Sequence, residues 1–249
     1  MICKKLLNLA VPRMKNLKVE DLRIGLGYVA LKNSAGGVGL SYVLRDRLPQ
    51  GCSQLKGSGE YIGADLEDVA KMFMDHGNVL RSSLGLAAIN SVSPTGENGT
   101  TSGDVMEILD IKKDEWVGMV GYFAPLVKRI NKITPHLFVI EDKLEYRKNG
   151  TYRIFDEIMN NCDVMIITAT SLINKTFEEV LSKTEKARKR VLLGPSSPLY
   201  RDFFEGMGLD IISGMIVQDT EKVMNIVSQG GGTRDFKNYS KKVNIVMNG

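Results

Sequence analysis

The stretch DVMIITATSLINKTFEEVL, residues 163–181, sets the rhythm by which the whole chain is read. Four apolar residues, Val164 to Ile167, lead into Thr168, Thr170, Ser171, Asn174 and Thr176, and FEEVL then resumes as a helix. A short, continuous apolar run that breaks into a polar turn and a helix predicts one βα unit of a parallel sheet. The same alternation recurs on both sides. WVGMVGYF (116–123) precedes APLVKRI, and HLFVIE (136–141) precedes YRIFDEIMNN. Further on, RVLLGP (190–195) precedes LYRDFFEGM, and DIISGMIV (210–217) precedes TEKVMNIVSQ. Five such units predict an α/β fold with a parallel sheet covered by helices on both faces.

Upstream the rhythm differs. LRIGLGYVAL (22–31) and GVGLSYVLRD (37–46) are β-rich runs on either side of KNSAGG, where Gly36 and Gly37 tolerate the positive φ of a tight turn. A helix is expected over 63–75 with Asp65 as its cap, and a second, mostly apolar one over 79–91. Strands followed by helices indicate a small α+β domain. The polar stretch SVSPTGENGTTSGD (91–104) reads as the junction, giving domains at 1–104 and 105–249.

Composition narrows the function classes. Of 249 residues, 43% are hydrophobic and 25% charged, as in ordinary soluble globular proteins. No apolar run approaches the ~20 residues of a membrane span, and the N-terminus reads as an amphipathic helix rather than a signal peptide. A cytoplasmic location is expected, with no membrane partner. Three distant cysteines (Cys3, Cys52, Cys162) argue against a disulfide scaffold. No CxxC, HxxxH or HExxH pattern supports a dedicated zinc site, and the only histidines are His76 and His136. The net charge of +4 comes from scattered lysines, and the tightest run, KTEKARKR (183–190), is expected at a solvated helix end. Without aromatic interleaving it predicts no nucleic-acid partner. Homo-oligomerisation is left open.

In an open parallel sheet, ligands lie beyond the carboxyl ends of the strands, where the strand order reverses. The loops there carry Gly121-Tyr122-Phe123, Glu141-Asp142, Thr168 to Ser171, and Gly194-Pro195-Ser196-Ser197-Pro198. Strand order 3-2-1-4-5 would set GPSSP against GYF, whereas 2-1-3-4-5 would set TATSLINKT there. Gly118, Gly121 and Glu141, the last 20 residues beyond Gly121, resemble the spacing of a dinucleotide site. The three-glycine fingerprint is absent, so a tight turn with a strand-end carboxylate explains them equally well. Within 168–176, Asn174 is expected to cap the following helix and Thr176 to begin it, which leaves Thr168, Thr170 and Ser171 for a site.

GYVAL, GLSYVL, SLGLAAINS, VGMVGYF, VIE, IITATSLINKT, LLGPSSPL and the late QGGG, in that order, resemble the putative heavy-metal chelation family over almost the whole chain. The resemblance implies an enolase N-terminal-like domain and a Rossmann-like domain with a site in the cleft between them. It points to Asn90, Tyr122, Phe123, Glu141, Thr170, Asn174 and Gly194 to Pro198, with Gly230 to Gly232 returning toward the same cleft. Soft heavy metals prefer thiolate or imidazole, yet the cysteines and histidines read as structural or surface residues. Three functions compete. The first is a binding protein for a small molecule or metal ligand, with a transition metal as its cofactor. The second is a Rossmann-type enzyme using an adenine-containing cofactor such as a nucleotide or S-adenosylmethionine. The third is a non-catalytic binding or assembly protein whose rim residues are mostly caps. No Ser-His-Asp or Cys-His arrangement can be assembled, and Glu141 is the best candidate for proton transfer.

Overall fold

A computed structural model of the chain describes residues 2–94, 100–141 and 151–247. Helix α1 (Ile2–Ala10) is amphipathic and buries Cys3, Leu6, Leu7 and Ala10. Three antiparallel strands follow, β1 (Val19–Ile24), β2 (Tyr28–Asn33) and β3 (Val38–Tyr42), in spatial order β1-β2-β3. The single strand expected over 22–31 is thus two, broken at Gly25 to Gly27. Only glycine fits at residue 25, because a Cβ there would stand 2.0 Å from the Val227 carbonyl oxygen. The expected hairpin joins β2 and β3. Gly36 has φ +87°, and the Asn33 side chain accepts bonds from the Ala35 and Gly37 amides.

Helices α2 (Leu66–Lys71) and α3 (Val79–Asn90) complete the N-terminal unit. Asp65 makes no capping bond to α2; its carboxylate instead lies 3.5 Å from Lys18 Nζ. Asn78 does cap α3, accepting from the Leu80 and Arg81 amides.

The second sheet has seven strands. In chain order the elements are β4 (Thr100–Ser102), α4 (Val105–Leu109), β5 (Val117–Val120), α5 (Ala124–Ile130), β6 (Leu137–Ile140), α6 (Thr151–Asn161) and β7 (Val164–Thr168). There follow α7 (Thr170–Ile173), α8 (Phe177–Ser182), β8 (Lys189–Leu193), α9 (Arg201–Phe204), β9 (Ile211–Val217), α10 (Thr220–Ser228), α11 (Thr233–Phe236) and β10 (Ser240–Val246). The spatial order is β4-β10-β9-β8-β7-β5-β6. β6, β5, β7, β8 and β9 are parallel, as the βα rhythm predicts. β10 and β4 are antiparallel additions that the periodicity did not predict. β10 carries exposed Lys241 and Lys242 in mid-strand, so its local pattern is weak, and a seven-residue ladder with β9 decides its conformation.

Three helical expectations change. The 168–182 segment forms two short helices rather than one. KTEKARKR follows α8, and its last two residues open β8. LYRDFFEGM forms only the single turn α9.

The two sheets share packing. β2 is buried on both faces. Val29 and Leu31 join the cluster containing Leu84 and Leu86 of α3, while Tyr28 and Ala30 join Val223 and Val227 of α10. The first cluster runs on through Val120, Ile167, Leu172 and Ile212 of the large sheet, so one apolar core spans both units.

Candidate functional site

Of the two strand orders weighed from sequence, the parallel strands adopt 2-1-3-4-5. The chain leaves β5 toward β6 and leaves β7 toward β8, so the crevice opens between β5 and β7. Residues 121–123 therefore face 168–176. Gly121 has φ +86°, and a Cβ there would lie 3.0 Å from Thr168 Cβ. Glycine lets the chain leave β5 while staying pressed against the end of β7.

A cavity of about 1160 Å³ opens at this point, lined by residues from both units. From the sheet rim come Gly121, Tyr122, Phe123, Glu141, Thr168 and Thr170. Ser171, Asn174, Gly194, Pro195 and Ser196 complete that rim. Eleven of the fourteen residues singled out from sequence thus share one cavity. Gly232 lines it as well, while Gly230 and Gly231 do not. Asp142 lies outside the described residues.

Asn90, Ser197 and Pro198 do not line it. Asn90 Nδ2 donates to Leu40 O at 2.8 Å and to Ser196 O at 3.1 Å, bridging the N-terminal sheet to the GPSSP loop. Asn90 and Ser197 line a separate space of about 160 Å³, and Pro198 is buried. The N-terminal sheet and the GPSSP loop meet at this place, so the Asn90 amide, which the family resemblance assigns to a ligand, serves the seam.

Several cavity hydroxyls also have local tasks. Thr168 Oγ1 and Thr170 Oγ1 lie 3.0 Å apart, and the Ser171 hydroxyl donates to Thr168 O at 2.6 Å. The Thr168–Thr170 pair uses one hydroxyl proton between its two oxygens and leaves the other for a ligand. Asn174 Oδ1 accepts from Thr176 N and Thr176 Oγ1. It shapes the turn before α8 rather than capping the helix, whose N-cap is Thr176. Ser196 also has a local partner. Its Oγ accepts from Tyr42 N at 2.8 Å, tying β3 to the rim.

The charges of the cavity were not found from sequence. Arg45 and Arg47 enter from the loop after β3, Arg129 from the end of α5, Arg234 from α11 and Lys242 from β10. Asp46, Asp104 and Asp235 line it beside Glu141. Asp104 caps α4 through Met106 N and pairs with Arg129. Burial pushes its carboxyl up, but the bonds from Met106 N and Arg129 outweigh this and hold it below the usual range. Asp235 accepts from Gly232 N. RDR directly after an apolar strand, and TRD directly after GGG, were visible signals. What they lacked was any local sign that loops 190 residues apart converge.

A heavy-metal centre needs soft or clustered donors. Among the described residues, no three His, Cys, Asp or Glu side chains come together to hold a metal ion. Burial pushes the thiols of Cys3 and Cys162 up, that of Cys162 to about 12 with help from Asp163, so both stay protonated. Cys162 Sγ contacts Ile158 O at the opposite end of the sheet. Cys52 is exposed in the N-terminal unit and is not among the cavity residues. The His136 ring stacks on Trp116, and His76 is exposed. The described donor set does not fit a protein-held heavy metal. No helix of the described residues is long and apolar enough to cross a membrane.

Comparison with known proteins gives a consistent picture. An uncharacterized protein of Methanocaldococcus jannaschii is 26% identical, over 97% of this chain and 95% of its own length. The crystal structure of a DUF364-family protein from Desulfitobacterium hafniense DCB-2 superposes with a TM-score of 0.81 at 25% identity, over 98% of this chain and 97% of its own. A DUF364-family protein from Pyrococcus horikoshii gives 0.82 at 23%, over 99% of this chain and 100% of its own. Two family models, both described as putative heavy-metal chelation, match residues 7–93 and 104–246. With both models covering nearly the entire chain in order, this protein belongs to the putative heavy-metal chelation family.

Proposed function

We propose that the chain binds a small molecule or a metal-bearing ligand in the cavity between the N-terminal sheet and the carboxyl ends of β5 and β7. One observation carries this: a cavity of about 1160 Å³ lies where the strand order reverses, the place open α/β sheets reserve for ligands. Its walls combine aromatic faces (Tyr42, Tyr122, Phe123) with Thr168, Thr170 and charged side chains from several elements. That mixture of apolar surface and polar groups drawn from several elements suits an organic ligand better than a bare ion. A thermal-shift screen of the untagged protein tests it. A ligand should raise the melting temperature of the wild type, and Thr170→Trp, which fills the cavity beside Gly121, should remove the rise. Shifts that persist in Thr170→Trp would place binding elsewhere.

A second function, a Rossmann-type enzyme with an adenine-containing cofactor, is favoured by one feature. Glu141 stands at the end of β6 in the same cavity, where an acid reaches ribose hydroxyls in dinucleotide sites. Adenine cofactors that stabilise the wild type but not Glu141→Gln would support it; indifference to all of them would end it.

A further inference from the structure

The cavity's electrostatics oppose the ligand that the family description names. A divalent cation in a protein is normally met by carboxylates, imidazoles or thiolates, and no cluster of three exists among the described residues. The cavity instead presents five cationic side chains against four carboxylates, a formal excess of +1. Much of the negative charge is already committed. Asp104 serves Met106 N and Arg129, and Asp235 serves Gly232 N. Arg45, Arg234 and Lys242 are exposed; the side chains of Arg45 and Arg234 make no hydrogen bond or ion pair among the described residues, and Lys242 stands near enough to Asp104 to help hold its carboxyl down. They come from three separate elements onto one cavity. Long cations at a cavity rim attract anions and repel a bare metal ion over roughly a Debye length, about 8 Å in physiological salt.

We propose that the cavity recognises a small polyanion carrying carboxylate or phosphate oxygens, and that any heavy metal enters already chelated by that ligand rather than held by the protein. This rests on the cavity being a ligand site. The size agrees: about 1160 Å³ exceeds what one ion needs and matches an organic ligand of many atoms. Arg45, Arg234 and Lys242 bind the outer oxygens of the chelate. The Thr168–Thr170 pair offers a hydroxyl proton deeper in, and Tyr122 and Phe123 cover the apolar side.

Isothermal titration of the untagged full chain with nickel chloride, citrate, nickel–citrate and pyrophosphate tests this. The same titrations are run on the charge-reversed variant Arg45→Glu/Arg234→Glu/Lys242→Glu and on Thr170→Trp, each checked for native circular dichroism. The three reversed residues are exposed, so the fold should survive. The expected result has two parts. Citrate or pyrophosphate binds, with nickel–citrate joining if the carboxylate arm is correct, and nickel chloride alone does not. Charge reversal weakens the anions by about tenfold or more, and added salt weakens wild-type binding. Stoichiometric binding of nickel chloride alone, failure of every anion, or anion binding indifferent to charge reversal overturns the proposal. Binding lost in Thr170→Trp but kept after charge reversal sinks the polyanion alone; binding indifferent to Thr170→Trp sinks the cavity as the site.

Discussion

Lys175 shows how a single side chain can serve the fold beneath a cavity. It lies between two cavity residues, Asn174 and Thr176. Its ammonium donates to Phe73 O, to Leu172 O and to Ser82 Oγ at 2.7 Å, and it stands 3.9 Å above the Phe73 ring. The loop that floors the cavity is thereby fastened to the N-terminal unit. Burial lowers its pKa from 10.5 to about 8, against the pull of Cys3 and Asp75. Because the folded value lies below the unfolded one, the unfolded chain binds more protons between about pH 8 and 10.5. Stability from this residue therefore rises with pH across that window and is flat below it. The neutral amine still has two N–H donors for two of the three acceptors. Urea unfolding from pH 7 to 10.5 should show the wild type gaining on Lys175→Met as pH rises through the window. Parallel curves for the two proteins would mean that Lys175 titrates normally. Nothing in the sequence marks this lysine, since its environment comes from residues about 100 positions away.

At the scale of elements, legibility tracks how local the deciding forces are. β5 and β7 are buried throughout or nearly so, and an uninterrupted apolar run announces that without help from partners. Gly121 was legible as a turn because its positive φ is a property of the residue itself. The carboxyl rim followed from the alternation, and eleven of the residues named from sequence line one cavity there. Strand order, by contrast, is set by how helices cover the sheet, and two orders remained equal on paper. Asn90 could not be told apart from a cavity residue, because a polar side chain at a seam has the same composition as one facing a ligand. β10 was missed because its register comes from β9 rather than from its own alternation. Its place in the sheet nonetheless makes it indispensable. It lies between β4 and β9 and buries Val243 and Ile245. Deleting residues 240–249 should leave β9 unpaired along one edge and abolish cooperative thermal unfolding. Lys241→Ala, on the exposed side of the strand, should change stability by no more than about 0.5 kcal/mol. A truncated chain that melts cooperatively near the wild-type temperature would show that β10 is dispensable.

For the molecule as a whole, the two family-matched segments share a common core. Polar bonds stitch the same boundary: Ser82 Oγ donates to Ile173 O, Tyr200 OH to Ile89 O, and Tyr28 OH pairs with Thr233 Oγ1. A boundary of this kind costs both sides when it opens, so the units should unfold together despite matching separate family models. Asn90 is the sharpest probe, since its amide reaches Leu40 O on one side and Ser196 O on the other. Asn90→Ala strips a donor from two carbonyls and should cost about 1–3 kcal/mol. The loss should appear equally in β2 and in β7 amides by native-state hydrogen exchange, because either sheet opens only when both do. Trp116, the one tryptophan, precedes β5 and reports on the large sheet alone. Its urea transition should coincide with that seen by far-ultraviolet circular dichroism, before and after the substitution. Separate transitions, or a loss confined to β2, would show two independently stable units. In that case the cavity between them would widen and close as a hinge, and its affinity would depend on a population of closed forms rather than on a preformed site.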